Sequence, residues 1–242
     1  GAGRNWSSLM RRVVRARPEW GAVLVDLREH GGSRGFPPPH TLEAAADDVR
    51  ELLDSLGIRA DAILGHSFGG KVSLMLARRH ADAVGQLWIV DSTPSAREFR
   101  GQAAEMLKIL RRHPGPFAYR DEAIDALVGE GVSRPIAMWM ATNVEPAGDE
   151  LRWRIDFDVM EALLEDFHRS ELWDVVESPA PGHELRFLQA TRASVLTEED
   201  AARIEAAGRA TGRVFLHRVE GGHWLNADNP DALVALLEEH LP

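Results

Sequence analysis

Hydrophobic and polar positions switch between two periods along this chain, and the switching predicts most of its elements. Within Ser7 to Arg17 the residues Leu9, Val13 and Val14 form a stripe at helical spacing, with Ser7 or Ser8 placed to cap it. Gly21 to Leu27 (GAVLVDL) is a short, branched apolar run bounded by polar turns, the pattern of a buried strand. Thr41 caps a helix that runs to Leu56, with Glu43 in its first turn and Gly57 at its end. A strand over Ala60 to Leu64, a helix over Lys71 to His80 and a strand over Val84 to Val90 (VGQLWIV) follow, the last stopped by Asp91-Ser92-Thr93-Pro94. After a long interruption come a strand at Glu184 to Ala190, a helix at Thr197 to Ala210, a strand at Arg213 to Val219 and a helix at Asp231 to His240. Strands alternating with helices predict an α/β chain with a mostly parallel sheet and helices on both faces.

The interruption runs from Ser95 to Glu177 and reads as helical throughout, with Trp139, Trp153, Trp173, Met138 and Met140 among its apolar positions. An insertion of this kind between sheet elements is expected to pack over the strand ends as a lid. The chain therefore divides into a core segment at 1–94, a helical lid at 95–180 and a second core segment at 181–242, with Ser178 to Gly182 as the return linker.

Composition narrows the classes. The 242 residues are 44% hydrophobic, enough for a sizeable core. The net charge of −10 repels nucleic acid and anionic lipid, so neither is an expected partner. There is no cysteine, which excludes disulfides, thiolate catalysis and cysteine-ligated metal without deciding the compartment; a cytoplasmic location is a separate expectation. No apolar run approaches the roughly 20 residues that span a bilayer. No H-E-x-x-H spacing suggests a metal, no cofactor is expected, and no G-x-G-x-x-G follows a strand to hold a dinucleotide.

The chemistry gathers at Gly65-His66-Ser67-Phe68-Gly69-Gly70. It reads G-x-S-x-G between a predicted strand and a predicted helix, the context of a nucleophile elbow, in which a strained turn thrusts Ser67 outward. Gly65 and Gly69 lack a Cβ, so neighbouring backbone is expected to pass close to both. A serine hydroxyl needs a base, and the base needs a third group to orient it. His223, in Glu220-Gly221-Gly222-His223-Trp224, follows the final strand and so lies at the same end of a parallel sheet as the elbow. His66 adjoins the nucleophile, with a side chain expected to point away from the hydroxyl. For the acid there are two places. The loop after the next-to-last strand, Ala190 to Leu196, holds no carboxylate, and Glu198, Glu199 and Asp200 beyond it read as a capped helix N-terminus. Asp91, at the end of the strand after the elbow helix, is the stronger candidate. The backbone N–H of Phe68 is the expected first oxyanion donor.

These stretches resemble the α/β-hydrolase superfamily, and within it the YbfF-type small esterases. Asp26-x-Arg28-x-His30-Gly31-x-Ser33 is similar to a D-x-R-N-H-G-x-S turn, with Glu29 in place of the asparagine; Gly65 to Lys71 is similar to the elbow G-H-S-x-G-G-K. Thr142-Asn143-Val144 with Leu151-Arg152-Trp153-Arg154 resembles the group's lid segment, and Gly222-His223-Trp224 its histidine loop. The resemblance implies hydrolysis of carboxylic esters of small or medium acyl groups. It also favours Asp91, because in this group the acid follows the earlier strand. Trp139, Met140, Asn143 and Trp224 are candidates for the substrate pocket, though Trp and Met at helical spacing also suit a core. The strand and loop that carry the second oxyanion donor would lie at or just before Gly1. The expectation is of N-terminal strands missing from a longer protein, and of low stability and slow turnover for these residues alone. Other readings are a thioesterase or carbon–carbon hydrolase with the same triad, or a non-catalytic member that binds a small molecule. Oligomeric state is not legible.

Overall fold

The computed structural model describes residues 2–100, 102–192 and 194–242; Gly1, and Ala193 within the Ala190 to Leu196 loop, lie outside them. The chain divides into two compact units, one of Gly1–Arg97 with Asp166–Pro242, the other Glu98–Glu165.

The first unit is built on a parallel sheet. After a 3₁₀ turn at Gly3–Trp6 come α1 (Ser7–Ala16) and α2 (Leu42–Leu56), then β1 (Ala60–His66), α3 (Phe68–Arg79) and β2 (Val84–Val90). The second unit carries α4 (Gln102–Arg112), α5 (Arg120–Gly129), α6 (Arg134–Ala141), the strands β3 (Val144–Ala147) and β4 (Glu150–Trp153), and most of α7 (Phe157–Arg169). The chain then resumes the sheet with α8 (Trp173–Glu177), β5 (Glu184–Ala190), α9 (Glu198–Thr211), β6 (Val214–Val219), α10 (Leu225–Asp228) and α11 (Pro230–His240). The strand order is β1-β2-β5-β6, every pair parallel.

Strand periodicity explains the two layers of helices. Leu87 and Ile89 of β2, with Leu185 and Phe187 of β5, face one cluster, which α2, α3, α8 and α9 complete. Trp88 and Val90, with Leu188 and Ala190, face the other, closed by Leu9 and Val13 of α1 and Leu233, Val234 and Leu237 of α11. Both faces of each central strand are buried, which is why these strands read as continuous apolar runs. Thr41 caps α2 through its hydroxyl, 3.2 Å from the Ala44 N–H, and Gly57 ends it with φ 64°.

Two expectations are corrected. Gly21 to Leu27 is not a strand: none of its residues joins a ladder, and Val23 and Leu24 are exposed. A branched apolar run forms a strand only where its N–H and C=O groups meet a partner, and the described sheet stops at β1, which does not pair with it. The insertion is not helical throughout. Val144 to Trp153 forms an antiparallel hairpin closed by Ala147 and Glu150, with Gly148 at φ 71° as the first of its two loop residues. Phe117 and Trp153 meet edge to face at 5.7 Å, and the Trp153 Nε1–H donates to the His113 carbonyl at 2.7 Å. With Leu127, Ala137 and Val144 they build the second unit's own core.

Candidate active site

The ladder carries the strand ends into one row. The Ser67 N–H donates to the Val90 carbonyl at 3.0 Å, the Asp91 N–H to Leu188 at 2.8 Å and the Thr191 N–H to Val219 at 3.0 Å. The residues after β1, β2, β5 and β6 therefore lie side by side at the carboxyl end of the sheet, where the sequence places Ser67, Asp91, the Thr191–Leu196 loop and the loop of His223.

Ser67 stands between β1 and α3 with φ 52° and ψ −116°, a conformation disfavoured for any residue with a side chain. A Cβ on Gly65 would stand 2.2 Å from the Gly69 carbonyl oxygen, and one on Gly70 would stand 2.6 Å from Ser92 Cβ. Gly69 differs from the expectation: a Cβ there would meet nothing nearer than Leu27 Cδ1 at 3.8 Å. The corner is thus kept tight by Gly65 and Gly70. Phe68 opens α3, so its N–H precedes the first bonds of the helix, which the Gly70 and Lys71 N–H groups make to the Ser67 carbonyl.

Asp91 is fully buried and also has positive φ, 43°. Its Oδ2 lies 2.6 Å from His223 Nδ1 and accepts from the Val195 N–H at 3.3 Å. Its Oδ1 accepts from the Ala190 N–H at 3.2 Å and from the Ser194 hydroxyl. Burial pushes the carboxyl up, but the bonds from His223, Ser194 and Ala190 outweigh it and hold the group below the ordinary aspartate value. Asp200, the rival acid, is occupied in a capping box with Thr197 and bonded to Ser95 and Arg97. A cavity of about 250 Å³ lies there, lined by Arg97, Trp173, Asp200 and Arg203 among others; none of Ser67, Asp91 and His223 reaches it.

Of the four pocket candidates, Trp224 belongs to the first unit and Trp139, Met140 and Asn143 to the second. The Trp224 ring lies 5.3 Å from that of His223 and 5.1 Å from that of His66. Met140 is buried in the core of the second unit. Trp139 is exposed on α6, and the Asn143 side chain donates to the Met140 carbonyl at 3.1 Å.

Sequence reasoning missed three supporting side chains. Ser194 lies in the loop where a carboxylate was sought and instead binds that of Asp91, just after β2. Lys71, fully buried, donates to the carbonyls of Ser95 at 2.8 Å and Phe167 at 2.6 Å, and Phe167 packs on Phe68 with ring centroids 6.1 Å apart. His66 turns toward His223. The turn from Asp26 to Ser33 proves to be scaffolding. Asp26 accepts from the N–H groups of Gly3 and Gly32, Arg28 pairs with Asp48, and the His30 ring stacks on Phe68 at 5.9 Å. Glu29 has φ 60°, a region asparagine enters more readily, which accounts for the residue type it replaces in the motif.

Among the described residues no helix is long and apolar enough to cross a membrane, and no group of three or more His, Cys, Asp or Glu could hold a metal ion.

A parallel sheet with a serine on a strained strand-to-helix corner is the frame on which many serine hydrolases are built. This chain belongs to the alpha/beta hydrolase family, whose model matches residues 1–236. The sn-1-specific diacylglycerol lipase ABHD11 of Danio rerio is 26% identical to it over 239 residues, 95% of this chain and 72% of the relative. A putative carbamate hydrolase, RutD of Caulobacter vibrioides, is 26% identical over 253 residues, 98% of this chain and 87% of the relative. A solved structure described as a marine microorganism esterase shares the fold with a TM-score of 0.83 at 23% identity, covering 99% of this chain and 90% of its own. Each of the three carries the name of a hydrolytic activity.

Proposed function

We propose that the chain is a serine esterase that cleaves carboxylic esters of small or medium acyl groups, with Ser67 as nucleophile, His223 as base and Asp91 as the group that orients it. The observation that carries the reading is the 2.6 Å bond between His223 Nδ1 and a carboxylate that is fully buried, at the strand ends that also hold Ser67. With Nδ1 bonded to the carboxylate, Nε2 is left as the basic nitrogen. The Ser67 oxygen attacks the ester carbonyl carbon while Nε2 takes its proton. The Phe68 N–H donates to the oxygen that becomes negative. The tetrahedral intermediate expels the alkoxide, which receives the proton from Nε2, and the acyl group remains on Ser67. A water then gives a proton to Nε2 and attacks the acyl carbon; the intermediate releases the acid as the Ser67 oxygen takes that proton back from Nε2. A small-molecule ester as substrate and the cytoplasm as place of action belong to this reading.

The test is a fluorophosphonate probe beside turnover of p-nitrophenyl butyrate. Ser67→Ala abolishes labelling, and Ser67→Ala and Asp91→Asn each lower turnover by about 10³-fold or more. A wild-type chain that neither labels nor turns over the ester overturns the proposal in favour of a ligand-binding member of the fold.

A further inference from the structure

We infer that His66 is a positioning residue for His223, holding the backbone of the base's loop while Asp91 holds its ring; this rests on the proposed role of His223 as base. His66 Nε2 lies 2.7 Å from the carbonyl oxygen of His223, and the two imidazole centroids are 4.5 Å apart with planes inclined by 40°. A carbonyl oxygen only accepts, so the hydrogen sits on His66 Nε2. The direction of support follows from the elements. His66 is the last residue of β1, held in register opposite Val90 of the neighbouring strand. His223 lies in the loop between β6 and α10. Other ties on that loop lie to either side of the base: upstream the Arg192 N–H donates to the Gly221 carbonyl at 2.8 Å and the Gly222 N–H to Asp228 at 2.7 Å, and downstream the Trp224 carbonyl accepts from the N–H groups of Ala227 at 2.8 Å and Asp228 at 2.9 Å. The bond from His66 acts at the base itself. Trp6 and Trp224 flank the His66 ring, with centroids 6.0 Å and 5.1 Å away, and limit its rotation.

A base anchored at both its ring and its backbone keeps Nε2 in place through proton transfer. Released at the backbone, it remains bonded to Asp91 but swings about that bond, and a displacement of about 1 Å is enough to cost on the order of 100-fold in rate. The loss falls on kcat, because the tie does not touch the ester.

Four variants test this by kinetics on p-nitrophenyl butyrate, fluorophosphonate labelling rates and thermal melts: His66→Gln, His66→Asn, His66→Phe and His223→Ala. The glutamine amide nitrogen reaches the place of the imidazole Nε2, whereas the asparagine amide ends one carbon short. The expected result is kcat within about threefold of wild type for His66→Gln, and a fall of roughly 10- to 100-fold for His66→Asn and His66→Phe. KM changes by less than about threefold throughout. The inference is overturned if His66→Asn and His66→Phe keep wild-type kcat while His223→Ala is inactive. It is equally overturned if the loss appears in KM alone, or if His66→Gln is as impaired as His66→Asn or all three melt early together. A His223→Ala variant with wild-type turnover and labelling removes the underlying reading of the base instead.

Discussion

Positive φ at a residue with a side chain marks stored strain, of about 1–3 kcal/mol at each such position. Among the described residues three non-glycines have it, and two of them are Ser67 and Asp91. Neighbouring elements hold each in place: Ser67 through its N–H to Val90, Asp91 through its N–H to Leu188 and four bonds to its carboxylate. Glycine adopts φ near 52° without penalty, so Ser67→Gly is expected to be inactive yet more stable than wild type by up to about 1–2 kcal/mol in urea unfolding. A destabilised Ser67→Gly protein would show that the corner holds no strain. The G-x-S-x-G pattern announced the strained serine. Nothing local announced the geometry of Asp91, because its φ follows from bonds to residues about a hundred positions away.

At the scale of elements, the approach of α3 to the strand ends decides where Ser67 sits. Gly65 and Gly70 have no room for a Cβ, whereas Gly69 has. Gly65→Ala and Gly70→Ala are each expected to lower stability by more than about 2 kcal/mol, the cost of forcing backbone or Ser92 aside. Gly69→Ala, inside the first turn of α3, is expected to be neutral or to stabilise by up to about 1 kcal/mol. Thermal or urea melts of the three variants check the order, and equal losses at all three would contradict it. The elements misread from sequence share one cause. The run from Gly21 to Leu27 has strand composition but no ladder partner, and the Val144–Trp153 hairpin has a ladder but only four residues a strand. The proline and glycine of Pro146-Ala147-Gly148 were the available signal for the latter, masked by the helices on either side.

Acid sensitivity belongs to the whole molecule, because it compares folded with unfolded chain. Burial pushes His30 down to about 3 and His66 down to about 4, the latter with help from the neighbouring His223. In the unfolded chain both take up a proton near pH 6.5. Between that pH and about 4 the unfolded state therefore binds more protons than the folded state, and stability falls as the pH is lowered. The expected slope approaches about 1 kcal/mol per pH unit for each histidine. Asp91 adds to the loss at lower pH, since its folded value lies below the ordinary one and its contribution disappears as the carboxylate is protonated. Urea unfolding at a series of pH values measures this, and His30→Phe should flatten the dependence. A stability unchanged from pH 7 to 4.5 would contradict it.

From Thr41 onward the alternation of the four sheet strands with their main helices, the serine between strand and helix and the histidine after the final strand were legible in the residues alone. Each is expressed in a local pattern: a period of two or of 3.6, a cap, a glycine-rich turn. Which acid faces the histidine was narrowed by sequence but depends on the strand order, since β5 lies between β2 and β6 and its loop supplies Ser194 to the carboxylate of Asp91. The same holds for His66 and His223, which are 157 positions apart in the chain. Contacts of that range leave no period and no motif. They exist only once the sheet has set its strand ends in a row.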